Sequence, residues 1–223
     1  MSRPREHAVM TEAAAPTDDA LIAEIRAGNP ARFGVLVRRY NPRLYRAARA
    51  ILGDDAEAED AVQDAYVRAF DRLAQFRGEA AFSTWLTRIA VHEALTRRRR
   101  RARLVALDAT EELTMSDDPT PAQRASTAQL VGILEREIDA LPDGLRDVLV
   151  LRDLEELDTA ETAACLGLSL EAVRVRLLRA RRALERALGD ELALTAPSAF
   201  RVAGPRCDRM HAAVATRLGV ALD

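Results

Sequence analysis

Six residues between positions 58 and 73 recur with a regularity that only a helix can bring together. Ala58, Val62, Ala65, Tyr66, Ala69 and Leu73 follow the spacing i, i+4, i+7, i+8, i+11 and i+15, one apolar stripe on a 3.6-residue repeat. A strand would scatter them over both of its faces. No period-two alternation of strand type stands out anywhere in the chain, and no internal repeat. Aromatic residues make up only 4% of the chain while hydrophobic residues make up 48%, so any core is built mainly from Ala, Leu, Val and Ile. Charged residues at 30%, with heavy Ala, Leu and Arg usage, favour helix again. The expected fold class is all-α. At 223 residues the chain has room for two small helical domains, an N-terminal bundle and a C-terminal helix-turn-helix, joined by a flexible linker.

Punctuation along the chain gives the boundaries. Residues 1–17 are small and polar, lack the apolar core of a signal peptide, and are expected to be a disordered tail. Thr17 can cap a helix carrying Leu21, Ile22 and Ile25, which Gly28 ends. Asn29-Pro30 opens a second helix with Phe33, Leu36, Val37 and Tyr40, and Pro42 starts a third that Gly53 closes. The stripe described above places a helix from about Asp55 to Leu73. Phe76-Arg77-Gly78 breaks the pattern, and Ser83 can cap the next helix, which runs into Arg97–Arg101 and Arg103. The first domain is therefore set at 18–103 and a linker at 104–124, where Ser116-Asp117-Asp118-Pro119-Thr120-Pro121 shows no periodicity. A second module spans 125–189, and an extension, 190–223, contains one more short helix from Cys207 to Leu218.

Net charge is −2, yet the charge is segregated in blocks, and local fields decide where an anion binds. Asp60, Gln63, Asp64, Val67 and Asp71 share one polar face of the 55–73 helix, which suits a basic protein partner. After it come the aromatic loop and then the arginines, an order that suits unstacked bases followed by phosphates. The candidate DNA-contacting residues here are Phe76, Arg77, Phe82, Ser83, Thr84, Arg88, His92, Arg97, Arg99 and Arg100. Phe82 and the 77–83 loop are expected to meet an extruded base, whereas Trp85 is expected in the core. In the second module Asp158 caps one helix, Gly167 supplies the turn and Ser169 caps the next. That last helix turns Val173, Leu177, Ala180 and Leu184 inward. Such a helix-turn-helix presents a recognition helix to a major groove, with Ser169, Glu171, Arg174, Arg176, Arg179 and Arg181 outward.

These segments resemble the sigma-70 family, in particular the extracytoplasmic-function (ECF) sigma factors. Ala58 through Phe70 is similar to that family's core-polymerase-binding helix. Phe76-Arg77-Gly78, Phe82 through Leu86 and Arg88-Ile89-Ala90 resemble its −10 melting segment, and Leu141-Pro142 with Ala163 through Leu184 its −35 module. The resemblance implies a subunit that binds bacterial core RNA polymerase through Asp60, Gln63 and Asp64 and holds melted −10 DNA with the 76–101 segment. It further implies that Arg174, Arg176 and Arg179 read the duplex −35 element, and that an anti-sigma factor is a further partner. Four positions depart from the pattern: His92 stands for asparagine, Thr96 for aspartate, Glu156 for a turn glycine and Val175 for serine.

Other classes are poorly served. His7, His92 and His211 are isolated from one another and no cysteine or carboxylate cluster joins them, no phosphate-binding glycine loop occurs, and no nucleophile motif is present, so neither catalysis nor a cofactor is expected. Two cysteines, Cys165 and Cys207, fit a reducing cytoplasm, and no apolar run is long enough to span a membrane. A stand-alone helix-turn-helix regulator would leave the acidic stripe and aromatic loop unused. A sigma mimic that titrates an anti-sigma factor would use them without promoting transcription.

Overall fold

The computed structural model describes residues 15–107, 127–188 and 205–223. Among these residues every regular element is helical. The start of the chain, the 116–121 segment and the first part of the extension lie outside them.

Helix α1 (Asp18–Arg26) begins as expected: the Thr17 hydroxyl accepts the Ala20 amide, and Asp18 and Asp19 face the positive end of the helix dipole. After a 3₁₀ turn at Pro30–Arg32 comes α2 (Phe33–Leu52), a single helix of 20 residues with Pro42 inside it. This corrects the expectation of two helices separated at Pro42. An interior proline removes one backbone hydrogen bond and costs roughly 3 kcal/mol in isolation. Burial on both sides of it, of Leu36 and Val37 before and Leu44, Tyr45, Ala47 and Ala48 after, outweighs that cost.

Gly53, at φ 71°, ends α2, and Asp54 caps α3 (Asp55–Asp71) by accepting the Glu57 amide at 2.8 Å. Ala58, Ala61, Val62, Ala65, Tyr66 and Ala69 form its buried face, and the buried Tyr66 hydroxyl donates to the Val37 carbonyl at 3.1 Å. Small alanines let α3 lie close to its neighbours. Leu73 falls in a following 3₁₀ turn. Helix α4 (Phe82–Leu107) starts one residue before Ser83, which therefore lies in the first turn rather than capping it. It also runs past the expected boundary at 103.

The second region comprises α5 (Thr127–Asp139), α6 (Asp143–Leu149) with a π-helical turn over Val150–Leu154, α7 (Thr159–Leu166) and α8 (Leu170–Leu188). Leu134, Ile138, Leu149, Val150, Ala180 and Leu184 pack together there, and Val148, Ala163 and Val173 form a smaller core beneath the α7–α8 turn. The two regions share apolar surface, since Ala50 of α2 joins the second core while Leu151 and Leu157 join the first. Finally α9 (Pro205–Leu218) packs on both α2 and α3 and buries Met210 and Val214.

Candidate protein and nucleic-acid interfaces

The outer face of α3 is acidic, and its carboxylates are not all equally available. Asp60 and Asp71 are exposed; Gln63, Asp64 and Val67 are half-buried. Asp64 accepts Arg97 of α4 on one oxygen and Arg217 of α9, at 2.5 Å, on the other. Burial alone would push its carboxyl up, but hydrogen bonds from Arg97 and Arg217 outweigh that and hold it below the usual aspartate value.

The arginine block differs from a simple row of phosphate contacts. Arg97 is engaged by Asp64, with Asp60 at 3.8 Å. Arg98 grips Asp147 of α6 through two hydrogen bonds of 2.8 and 3.0 Å and also donates to the Ile51 carbonyl. Arg101 donates to Glu57 and to the Leu52 carbonyl. These three arginines tie α4 to its neighbours, Arg101 doing so from an exposed position, while Arg99, Arg100 and Arg103 are exposed as well. Nothing in a run of identical residues distinguishes them. The helical phase does, because positions 97, 98 and 101 face α2, α3 and α6.

The aromatic loop folds back on α4. Phe76 stacks edge-on against Phe82 (5.5 Å between centroids) and tilts over Trp85 (5.3 Å). Phe82 is only 3% exposed and also meets Tyr40, so it is a core residue rather than the expected stacking surface. Half-buried Trp85 instead walls an open cleft of about 610 Å³ with Phe76, Arg77, Gly78, Glu79 and Arg88. The cleft has an aromatic wall, two guanidinium groups and room for a nucleobase. Trp85 also packs against the first core, as expected, with one side left to the cleft.

Below the cleft, Arg88, His92, Thr96 and Arg99 line one exposed stripe of α4. Ser83 is half-buried. Thr84 is buried and donates to Glu161 of α7 at 2.8 Å, so this residue of the expected DNA stripe touches the second region.

The helix-turn-helix has its expected punctuation. Asp158 and Glu161 form a reciprocal capping box, Gly167 sits at φ 66°, and Ser169 accepts the Ala172 amide at 3.1 Å. Val173, Ala180 and Leu184 are buried and Leu177 is half-buried. Ser169, Glu171, Arg174 and Arg179 are exposed, with Arg174 and Glu171 paired at 3.7 Å. Arg176 is half-buried, its guanidinium lying over Gly144 of α6, and Arg181 is paired with Asp153 at 2.6 Å.

Between the regions sits a polar cluster with no counterpart in the sequence reading. Glu155, almost fully buried, accepts Arg46 at 2.6 Å and lies 3.5 Å from Arg43, while Arg49 binds Asp139 at 3.0 Å. Burial pushes the Glu155 carboxyl up to about 7, against the opposing pull of Arg46 and Arg43. Cys165 is likewise pushed up, to about 11, chiefly by burial, the opposite of an activated thiol. Among the described residues no cluster of His, Cys, Asp and Glu suited to a metal is found, and no helix is long and apolar enough to cross a membrane.

Comparison with known proteins follows the same division. The family model for Sigma-70 region 2 matches residues 36–104, and that for Sigma-70 region 4 matches residues 132–184. The ECF RNA polymerase sigma factor SigW of Bacillus subtilis is 33% identical over 178 residues, covering 76% of this chain and 95% of that protein. The ECF RNA polymerase sigma-E factor of Escherichia coli K12 is 32% identical, covering 76% and 93%. Among solved structures, CnrH in complex with the cytosolic domain of CnrY aligns with a TM-score of 0.51 at 31% identity, over 74% of this chain and 93% of that one. The sigma factor RpoE bound to the anti-sigma factor NepR, from Bartonella quintana, shares the fold with a TM-score of 0.57 at 24% identity, over 75% of this chain and 98% of that one.

Proposed function

The chain belongs to the sigma-70 family as an ECF RNA polymerase sigma factor, and on that premise we propose how its surfaces divide the work of starting transcription. Core polymerase docks on the α3 stripe of Asp60, Gln63, Asp64, Val67 and Asp71. The cleft between Phe76 and Arg88 receives a base extruded from the melted −10 element, and Arg88, His92, Arg99 and Arg100 follow the single strand along α4. Arg174 and Arg179, with Ser169 and Glu171 beside them, present the start of α8 to the major groove of the −35 element. Residues 18–103 and 125–189 act as the two promoter-binding domains, in the cytoplasm, with no catalytic step or cofactor of their own. An anti-sigma factor is the partner that would hold the protein inactive.

The observation that carries this reading is the position of the cleft: an aromatic wall flanked by Arg77 and Arg88, with the acidic face of α3 on the adjoining helix. Stacking a base on such a wall contributes ~1–3 kcal/mol, enough to favour one unpaired nucleotide without a catalytic group. Guanidiniums on either side supply backbone attraction that falls steeply with salt.

The test is transcription with purified core bacterial RNA polymerase and a library of promoter-sized fragments. Specific initiation by the natural protein, together with loss of polymerase binding in Asp60→Arg/Asp64→Arg at unchanged helicity, is the expected result. Unchanged affinity in that double variant would remove α3 as the docking face. Tight duplex binding without polymerase association would assign the protein to the stand-alone regulators instead.

A further inference from the structure

Helix α9 lies beyond both matched family segments, the second of which ends at residue 184. It is not a loose tail. Met210 and Val214 are fully buried in the first core, with Leu218 and Leu222 packed against it. Asp223 is seated on the start of α2 and the 3₁₀ turn before it: its amide donates to the Ala31 carbonyl at 3.0 Å, and its backbone nitrogen lies 2.7 Å from where a β-carbon on Gly34 would sit.

From this anchor three arginines reach α3. Arg206 pairs with Asp55 at 2.8 Å and Glu59 at 3.1 Å, Arg209 pairs with Glu59 at 3.4 Å, and Arg217 pairs with Asp64 at 2.5 Å. Carboxylates at 55, 59 and 64 extend along more than two turns of α3. The last of them belongs to the proposed docking stripe, and with Arg97 on its other oxygen both of its oxygens are already engaged by arginines of this chain.

We infer that α9 is an intramolecular ligand of the polymerase-docking helix, its arginines holding in cis the carboxylates that a basic polymerase segment would take. This rests on the assignment of α3 as the docking face. Free protein is thereby held in a lower-affinity form, and docking requires Arg217 to leave Asp64. The mask is displaceable by design of its chemistry: all three arginines are at least a third exposed, and exposed ion pairs are individually weak.

The experiment measures affinity of the full-length chain for core polymerase. Arg217→Ala is expected to bind about threefold tighter, and Arg206→Ala/Arg209→Ala/Arg217→Ala about tenfold tighter, both retaining the apolar anchor. Arg136→Ala, an exposed arginine on α5, is the charge-matched control for the single variant and is expected to bind as the natural protein does. Failure of the triple variant to bind tighter than that control overturns the inference. Asp60→Arg/Asp64→Arg separates the two ideas, since wild-type binding there removes the docking face itself, whereas lost binding with an inert triple variant removes only the mask. Should the triple variant melt, amide exchange on the natural protein decides. Residues 205–218 exchange faster in the holoenzyme if α9 is displaced, and unchanged or slower exchange there counts against the mask.

Discussion

Glu156 has a backbone that its side chain resists. Its φ of 55° is left-handed, the one such value at a non-glycine among the described residues, at the position where the family resemblance expects glycine. An L-residue pays roughly 1–2 kcal/mol for that conformation, and glycine would return part of the gain through its freer unfolded chain. Glu156→Gly is therefore expected to stabilise the protein by ~0.5–1 kcal/mol in urea denaturation. A loss of stability would mean that the exposed carboxylate makes a contact worth more than the strain. Asp64 offers a second residue-scale prediction. Its carboxyl is held below the ordinary aspartate value by Arg97 and Arg217 against the opposing effect of burial, so the stability it lends is present above pH ~4 and is lost as pH falls through its lowered pKa. The stability difference between the natural protein and Arg217→Ala, about 0.5 kcal/mol at pH 6 for a pair this exposed, should shrink toward zero below that point. A difference that persists unchanged once Asp64 is protonated would show that Arg217 contributes by packing rather than by its charge. Phase within a helix is the residue-scale information that composition hides: it places Phe82 inward and Trp85 at the cleft, and it separates Arg97 and Arg98 from Arg99 and Arg100.

Capped elements were the legible ones. Asp158, Gly167 and Ser169 mark the turn between α7 and α8 because each answers a local need, an orphan amide or a left-handed backbone, that can be read without knowing the rest of the fold. Asp158→Ala should accordingly cost ~1 kcal/mol, read as a lowered urea midpoint. No change would mean that Glu161 alone satisfies the start of α7. The stripe on α3 was legible for a similar reason, since six apolar positions in phase leave one solution. Pro42 was not legible, because its local penalty argues for a break while the burial that overrides it lies in contacts with α3 and α4 distant in sequence. Ser83 misled in the same way: a good capping residue is an offer, and the turn at Ala81 accepted one residue earlier, with the Trp85 amide bonded to the Ala81 carbonyl at 3.1 Å. Of the site, the acidic stripe and the outward face of α8 could be read from spacing. The grip of α9 on α3 could not, since nothing local pairs Arg217 with a carboxylate 153 positions away.

Across the whole molecule, the two regions that carry the surfaces proposed for the −10 and −35 elements are in contact, Thr84 of α4 bonding Glu161 of α7. Roughly 25 base pairs separate such elements, about 85 Å at ~3.4 Å per pair, so a protein that contacts both must part its two regions. Parting them breaks Arg46–Glu155 and Arg98–Asp147, whose carboxylates are nearly buried in the closed arrangement. Removing one partner from such a pair costs ~3–5 kcal/mol, and here opening relieves that cost by letting water reach the stranded carboxylate. Arg46→Ala/Arg98→Ala should therefore scatter X-rays with a larger radius of gyration than the natural protein while keeping its helicity. Proton linkage predicts a direction as well. Burial raises the carboxyls of Glu155, to about 7, and of Asp147, so the closed form binds protons more tightly than the open one. Closure is then strongest below the ordinary glutamate value of ~4.5, weakens as pH rises from there to about 7, and is flat above it. Between pH 5 and 8 the radius of gyration of the natural protein should grow, and Glu155→Gln, which faces the same Arg43 and Arg46 without a proton to lose, should flatten most of that growth. A radius that does not change with pH would mean that the two arginines keep Glu155 ionised throughout, and that opening is driven by polymerase and promoter alone.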